Sequence, residues 1–317
     1  MSLLRFPSRR KMRRIVREAI IDTPVRAAKI TRTMLSQHCS WKIAAELAVA
    51  SKALGYMPKL QNPRSLNEKI LYRKLFAPPA NAHVLADKLA VRDHVERLVG
   101  GQYLVPLLAV YKSADEIDLA QLPKSFIIKA NHACGRNLIV TDRDAVDPER
   151  LRRECRAFLA TEFGRTSNER WYCDIPRRLV VEELLIEEGL PAPLDYKFFV
   201  FDGKPELVQV DHDRYGTHIR SLYTTSWEKL DITYRLPQGP TIDRPAMLDE
   251  MLEVARRLAE DIDFVRIDLY SLPKIGRIYF GECTLTPIAG WGRFGPTKDV
   301  DFRLGALWRL ERGTPRR

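Results

Sequence analysis

Near its end the chain reads FVRIDLYSLPKIGRIYFGECTLTP, residues 264–287, two apolar stretches that nevertheless carry Arg266, Asp268 and Glu282. A charge among apolar neighbours is costly to bury unless it is paired or holds an ion. In a strand, residues two apart share a face, so Arg266 and Asp268 point together while Val265, Ile267 and Leu269 point toward a core. The short SLPKIGR connection lays the second strand antiparallel and brings Glu282 toward the same end. Two carboxylates and a guanidinium there suit Mg2+ with nucleotide phosphates, since Mg2+ takes few protein ligands and completes its shell with phosphate and water. A solvent-facing hairpin with cross-strand ion pairs is the other reading of this stretch. The Gly- and Pro-containing TLTPIAGWGRFGP that follows is the kind of irregular segment on which functional loops sit.

Other stretches carry weaker signals. FIIKANHACGRN sets Lys129 near the end of an apolar strand, before a loop whose backbone N–H groups form a nest suited to phosphate. A lysine snorkelling at the surface reads the same way. His132 has no nucleophile partner in the pattern, and no Ser/His/Asp or Cys/His hydrolase can be assembled. LVVEELLIEE places Glu182 and Glu183, then Glu187 and Glu188, after an apolar strand, as at the border of an adenine pocket or simply where a strand reaches the surface. Asp195 and Lys197 in DYKFFVF share a strand face. VQVDHDRYGTHIRSLY gathers Asp211, Asp213, Arg214, His218 and Arg220, a carboxylate-reading cluster or a charged turn.

These residues need elements to hold them. SLNEKILYRKLF offers Ser65 and Glu68 as a capping box ahead of a helix. Periodicity predicts a second helix through VLADKLAVRDHVERLVG, ending at Gly100 and Gly101. Strands follow in YLVPLLAVY and on both sides of the ANHACGRN loop, then a helix over 146–163. RRLVVEELLI reads as a buried strand, DYKFFVFDGKPELVQVD as a hairpin turning at Asp202-Gly203, and SLYTTSWEKL as strand or loop. RPAMLDEMLEVARRLAEDI has a clear 3.6-residue period. Antiparallel hairpins mixed with helices predict an α+β fold. No G-x-G-x-x-G or G-x-x-x-x-G-K-[ST] occurs, which removes the Rossmann and P-loop readings.

The 317 residues are 45% hydrophobic and 29% charged, a globular composition. No secretory signal or spanning segment is expected. Five scattered cysteines without a C-x-x-C pair fit reduced thiols in the cytoplasm. Of the net charge of +11, residues 1–32 supply +8, from ten Lys or Arg against Glu18 and Asp22, which leaves +3 for the rest. The protein is a near-neutral body with a basic arm. Met12, Ile15, Val16, Ala19 and Ile20 form an apolar stripe opposite Arg10, Arg13, Arg14 and Arg17, a pattern suited to an anionic membrane surface or to packing on the body. The body lacks interleaved basic and aromatic runs, which argues against nucleic acid as a partner.

In this order, Lys88 in DKLAVRDHV, Lys129 in FIIKANHACG, Glu182 in LVVEELL, DYKFFVFDGKPELVQVDHDR, FVRIDLY and IYFGECT resemble the ATP-grasp superfamily. Within it the chain is most similar to the teichuronopeptide-biosynthesis (TupA-like) branch, to which PRSLNEK and DYKFFVFDGKP are rather specific. The likeness runs from about Asn62 to Leu310. It implies ATP held between two α+β subdomains; the basic helical extension over 1–60, read from charge and periodicity, precedes them. The expected boundaries are an N-terminal lobe at 61–122, a nucleotide clamp at 123–190, and a metal-binding and catalytic subdomain at 191–317. Lys88 and Lys129 would contact phosphates, while His132, Gly135, Glu182, Glu183, Leu185 and Asp195 would line the rest of the nucleotide site. Arg266 and Lys197 would be catalytic, and Asp268, Glu282 and Thr284 would hold Mg2+. Thr284 stands where the superfamily usually has Asn, and HACGRN is less Gly-rich than in relatives, so Cys134 and Arg136 narrow the phosphate cover. Arg214, His218, Arg220 and Arg293 are the candidates for binding substrate.

The reaction the resemblance implies is ATP-dependent joining of a carboxylate to an amine through an acyl phosphate, in making a surface polysaccharide or peptide polymer. The substrates would then be a carboxylate and an amine, free or glycan-linked. A kinase built on the same ATP cradle and a non-enzymatic basic binding protein are the rival readings.

Overall fold

A computed structural model describes residues 41–187, 193–212 and 218–310. The basic arm, Glu188, Asp213 and Arg214 lie outside the described residues, and with them the membrane reading of the arm and the substrate assignment of Arg214. No helix among the described residues is long and apolar enough to cross a membrane.

Helix α1 spans Trp41–Leu54 and α2 spans Leu66–Phe76. Both halves of the expected capping box are present: Ser65 Oγ accepts from Glu68 N, and Glu68 Oε2 accepts from Ser65 N. The next periodic stretch forms two helices, α3 (Ala82–Ala86) and α4 (Val91–Leu98), where the pattern predicted one. Asp87 makes the break, because its Oδ1 accepts from Leu89 N at 2.9 Å and so competes with the helical ladder. Lys88 therefore sits in a turn, free of the helical repeat.

Strands β1 (Leu107–Tyr111), β2 (Phe126–Ala130), β3 (Asn137–Val140) and β4 (Leu179–Glu183) form an antiparallel sheet in the order β1-β4-β2-β3. Helix α5, Pro148–Leu159, begins at an Asp147 cap with proline in its first turn. It covers one face through Leu151 and Cys155, which pack on Phe126, Ile128 and Leu179. The register puts Val110, Val180 and Lys129 in one cross-strand row and Glu182, Ile127 and Ile139 in the next. Lys129 and Glu182 thus share the uncovered face with Val110 and Ile139, which are 38% and 39% exposed.

The larger sheet begins with β5 (Leu194–Phe201), β6 (Lys204–His212), β7 (Ile219–Tyr223) and β8 (Lys229–Leu230). The short β9 (Thr233–Tyr234) and helix α6 (Leu248–Leu258) lead to β10 (Phe264–Leu272) and β11 (Arg277–Thr284). Strand order is β11-β10-β5-β6-β7-β8, while β12 (Phe294–Gly295) pairs with β9 ahead of helix α7 (Asp299–Leu307). Asp202 and Gly203 both have positive φ, +46° and +76°, as a type I′ turn between β5 and β6 requires.

One face of this sheet is largely apolar and packs Phe198, Val208, Val265 and Ile267 against Met251 and Ala255 of α6 and Val95 of α4. The other face divides across the strands. Phe199, Phe201, Leu207, Leu222 and Phe264 lie beneath Leu66, Ile70 and Trp308. Two residues along each central strand the side chains become polar: Lys197, Gln209, Arg220 and Arg266. Buried Arg73 fastens α2 over the apolar half, donating to Phe264 O at 2.7 Å, pairing with Asp263 and lying 4.2 Å from the Trp308 ring centroid. The helices that seal one half of the face leave the charged half for the site.

Candidate active site

Across the sheet, Asp268 lies opposite Glu282 on one side and Lys197 on the other, and Arg266 lies opposite Thr284. The ladder shifts register between Asp268 and Leu269, where Gly281 is the extra residue. A Cβ there would sit 3.0 Å from Asp268 O and 3.2 Å from the Tyr270 ring, so the close approach of β11 to β10 beside Glu282 favours glycine.

Arg266 grips Asp268 side-on, Nε to Oδ1 at 2.6 Å and Nη2 to Oδ2 at 2.7 Å. The same Nη2 donates to Glu282 Oε1 and Thr284 Oγ1, both at 3.1 Å, and Thr284 Oγ1 donates to Glu282 Oε1 at 3.0 Å. Lys197 Nζ lies 2.5 Å from both Asp195 Oδ2 and Asp268 Oδ2. Asp195, Lys197 and Asp268 are buried, whereas the Glu282 side chain is 34% exposed. The site opens at Glu282, into a pocket also lined by Lys88, Cys134 and Tyr172.

The electrostatics follow this geometry. Burial raises Asp268 to about 6, against the pull of Arg266 and Lys197 and with the help of Glu282 and Asp195. Burial works on Glu282 too, but Arg266, Lys197 and Lys88 outweigh it and hold that carboxyl at about 2. Arg266 and Lys197 favour the charged form of both acids. Three oxygens therefore surround one cationic group, Arg266 Nη2, and hard oxygens around a positive centre are what Mg2+ requires. Among the described residues no group of three or more His, Cys, Asp or Glu is placed to hold a metal. A Mg2+ centre here would rest on two carboxylates and one hydroxyl, a small protein share that Mg2+ accepts when phosphate and water supply the rest.

Beyond Lys197 the charged row continues on β6 and β7. Arg220 donates Nε to Asp211 Oδ1 at 2.5 Å, Nη2 to Asp211 Oδ2 at 3.1 Å, and Nη1 to Tyr234 O at 3.1 Å. Gln209 Nε2 donates to Asp211 Oδ1 at 3.0 Å, and His218 Nε2 lies 3.6 Å from Asp211 Oδ2. Arg220 thus already grips a carboxylate of its own chain. Arg293 is exposed and lies against Gly55, just beyond α1.

Burial acts to raise Asp211, but the hydrogen bonds and charge of Arg220 overcome it and hold the carboxyl far below the usual range. A depressed carboxyl contributes stability that is complete above its unfolded pKa and fades as pH falls. Asp211→Asn should accordingly melt below the wild type at neutral pH, with the gap closing below about pH 4. Thermal melts of the two proteins from pH 7 to pH 2 check this, and a gap that persisted unchanged to pH 2 would contradict it.

On the smaller sheet, Glu182 is held from both sides, by Lys129 Nζ at 2.6 Å and Arg92 Nη1 at 3.0 Å. Lys88 Nζ donates to Ala133 O at 2.7 Å, which places Lys88 beside the loop after β2. Gly135 lies at the exposed tip of that loop with φ +67°. His132 is buried with Nε2 3.2 Å from Thr161 O, and burial lowers its pKa, so it packs as a neutral ring. Glu183 is exposed and Leu185 half-buried beyond the end of β4.

The structure thus brings Arg266, Asp268, Glu282, Thr284, Lys197 and Asp195 into one group, with Lys88 across the pocket. Lys129 and Glu182 form a second group on the uncovered face. Sequence reasoning missed Arg92, Asp87, Gln209 and Asn131. Arg92 lies in α4, four residues after Lys88, but nothing local in the sequence ties it to Glu182.

No curated protein matches the chain. Among solved structures it is similar to D-alanine–D-alanine ligase from Helicobacter pylori, with 13% identity over 72% of this chain and 60% of that one and a TM-score of 0.40. The Bacillus anthracis D-alanine–D-alanine ligase complexed with ATP gives 16% identity over 64% and 55%, with a TM-score of 0.38. The ATP-grasp ligase PsnB, complexed with minimal precursor, Mg and ADP, gives 13% over 65% and 52%, with a TM-score of 0.37. The chain spans just over half the length of these first ligase structures. The model of one family, the TupA-like ATP-grasp proteins, matches residues 68–309, about three-quarters of the sequence and both sheets, and the chain belongs to that family.

Proposed function

We propose that this protein is an ATP- and Mg2+-dependent carboxylate–amine ligase that works through an acyl phosphate, in building a surface polysaccharide or peptide polymer. The observation that carries the reading is the pocket in which Glu282, the open end of the Arg266–Asp268–Lys197 row, meets Lys88. The uncovered face bearing Lys129, Val110 and Ile139 supports it, since aliphatic side chains beside a lysine suit a flat base and its phosphates.

In this reading Lys88 and Lys129 bind the phosphates, and Arg266 steadies the γ-phosphoryl group. Asp268, Glu282 and Thr284 are the residues that would hold Mg2+, which when bound neutralises phosphate charge. Lys197 keeps Asp268 ionised and oriented. A substrate carboxylate oxygen attacks the γ-phosphorus while the bond to ADP breaks. The amine nitrogen then attacks the acyl carbon, phosphate leaves, and the amine proton passes to phosphate or solvent. Positioning and charge neutralisation are the protein's main contributions to such a transfer. The basic arm would suit work at the cytoplasmic face of an anionic membrane.

ADP release from ATP and Mg2+, screened across pairs of carboxylates and amines, tests the reading. The expected result is ADP formation that needs a carboxylate, with an amide product once an amine is added. A stable phosphorylated product without amide would make the protein a kinase on the same cradle, and no ADP from any pair would remove the ligase reading.

A further inference from the structure

Asn131, the first residue beyond β2, is fully buried. Its backbone N–H donates to Arg178 O at 3.1 Å and its carbonyl accepts from Lys88 N at 3.2 Å. Its side-chain Oδ1 accepts from Arg178 N at 2.7 Å, while Nδ2 donates to Asp87 Oδ1 at 2.8 Å and Pro176 O at 2.9 Å. These partners fix the orientation of the amide, because the flipped form would set NH2 against an N–H and oxygen against a carboxylate. One residue thus ties together the break that carries Lys88, the loop after β2, and the approach to β4 and Glu182.

Asp87 completes the arrangement. The Oδ1 that accepts from Asn131 also accepts from Leu89 N, so one carboxylate both turns the chain at Lys88 and docks that turn on the loop. Lys88 is then held at both ends by the same loop, its N–H on Asn131 O and its ammonium on Ala133 O. Neither flanking helix contributes those partners.

We propose that Asn131 is a positioning residue for nucleotide binding: through Asp87 and the Lys88 backbone it presents the Lys88 ammonium to the phosphates. The proposal rests on the ATP reading above. A purely structural asparagine would lower stability without acting through Lys88, so the two roles separate in a double-mutant cycle.

The probe is ADP with Mg2+, titrated calorimetrically into the full chain and into Asn131→Asp, Lys88→Ala and the double variant. Asn131→Asp keeps the acceptor for Arg178 N but sets a second carboxylate against Asp87. Each single variant is expected to weaken ADP by about tenfold. The double should bind no more weakly than Lys88→Ala alone, whereas adding Lys129→Ala to Asn131→Asp should multiply the losses. A double variant weakened by the product of the single effects would overturn the proposal. So would an Asn131→Asp protein that binds ADP normally and only melts earlier. Should Asn131→Asp fail to fold, Asp87→Ala enters the same cycle with the same outcomes. A wild-type chain that does not bind ADP brings down the ATP reading and this proposal together, while ADP binding without the coupling brings down this proposal alone.

Discussion

Glu282→Gln should lower Mg2+-dependent ADP release by about 10²–10³-fold, the usual cost of removing one electrostatic partner from a reacting centre. Glutamine keeps the size of the side chain and can still accept from Arg266 and Thr284. What it loses is the charge at the mouth of the pocket, the part of the row that faces Lys88. Because a third of this side chain is exposed, the folded protein should lose little stability. Asp268→Asn should lose as much activity and also stability, since Asp268 is the buried partner of both Arg266 and Lys197. ADP release assays paired with thermal melts separate the two effects. Near-normal turnover in a folded Glu282→Gln protein would remove Glu282 from the metal site.

Arg266→Met should be the most destabilising single change in the site. Arg266 is buried and donates to Asp268, Glu282 and Thr284, so its loss leaves Asp268, among the described residues, with Lys197 as its hydrogen-bonded cation. Breaking a buried pair on one side costs about 3–5 kcal/mol, because a desolvated charge is left behind. Removing both partners, as in Arg266→Met with Asp268→Leu, should recover part of that loss while ADP release stays abolished. Denaturant unfolding gives the stabilities. If Arg266→Met unfolded at the wild-type midpoint, the buried row would not be holding the sheet as described.

Much of this site was legible because its signals are local. The two-residue spacing of Arg266 and Asp268 put both on one strand face, and the short connection to β11 brought Glu282 toward the same end, while the bulge at Gly281 that sets Glu282 opposite Asp268 left no local signal. Asp195 and Lys197 followed the same rule on β5, and Ser65 with Glu68 marked the start of α2. The α+β architecture and the family likeness held. What stayed hidden depends on partners distant in the chain. Period alone joined α3 to α4 across the local Asp87 turn, and the tie that docks this turn on Asn131 is invisible in sequence. Glu182 read as an acid for the nucleotide, yet its contacts in the folded chain are Lys129 and Arg92. Arg220 read as a reader of substrate carboxylates, and here it binds Asp211.

A crystal structure with Mg2+ and a non-hydrolysable ATP analogue tests the central claim most directly. The predicted result is an ion about 2.0–2.1 Å from oxygens of Asp268 and Glu282, with Arg266 drawn off them toward the γ-phosphate and the phosphates against Lys88 and Lys129. An analogue bound elsewhere, with Arg266 still bridging both carboxylates and no ion between them, would contradict it.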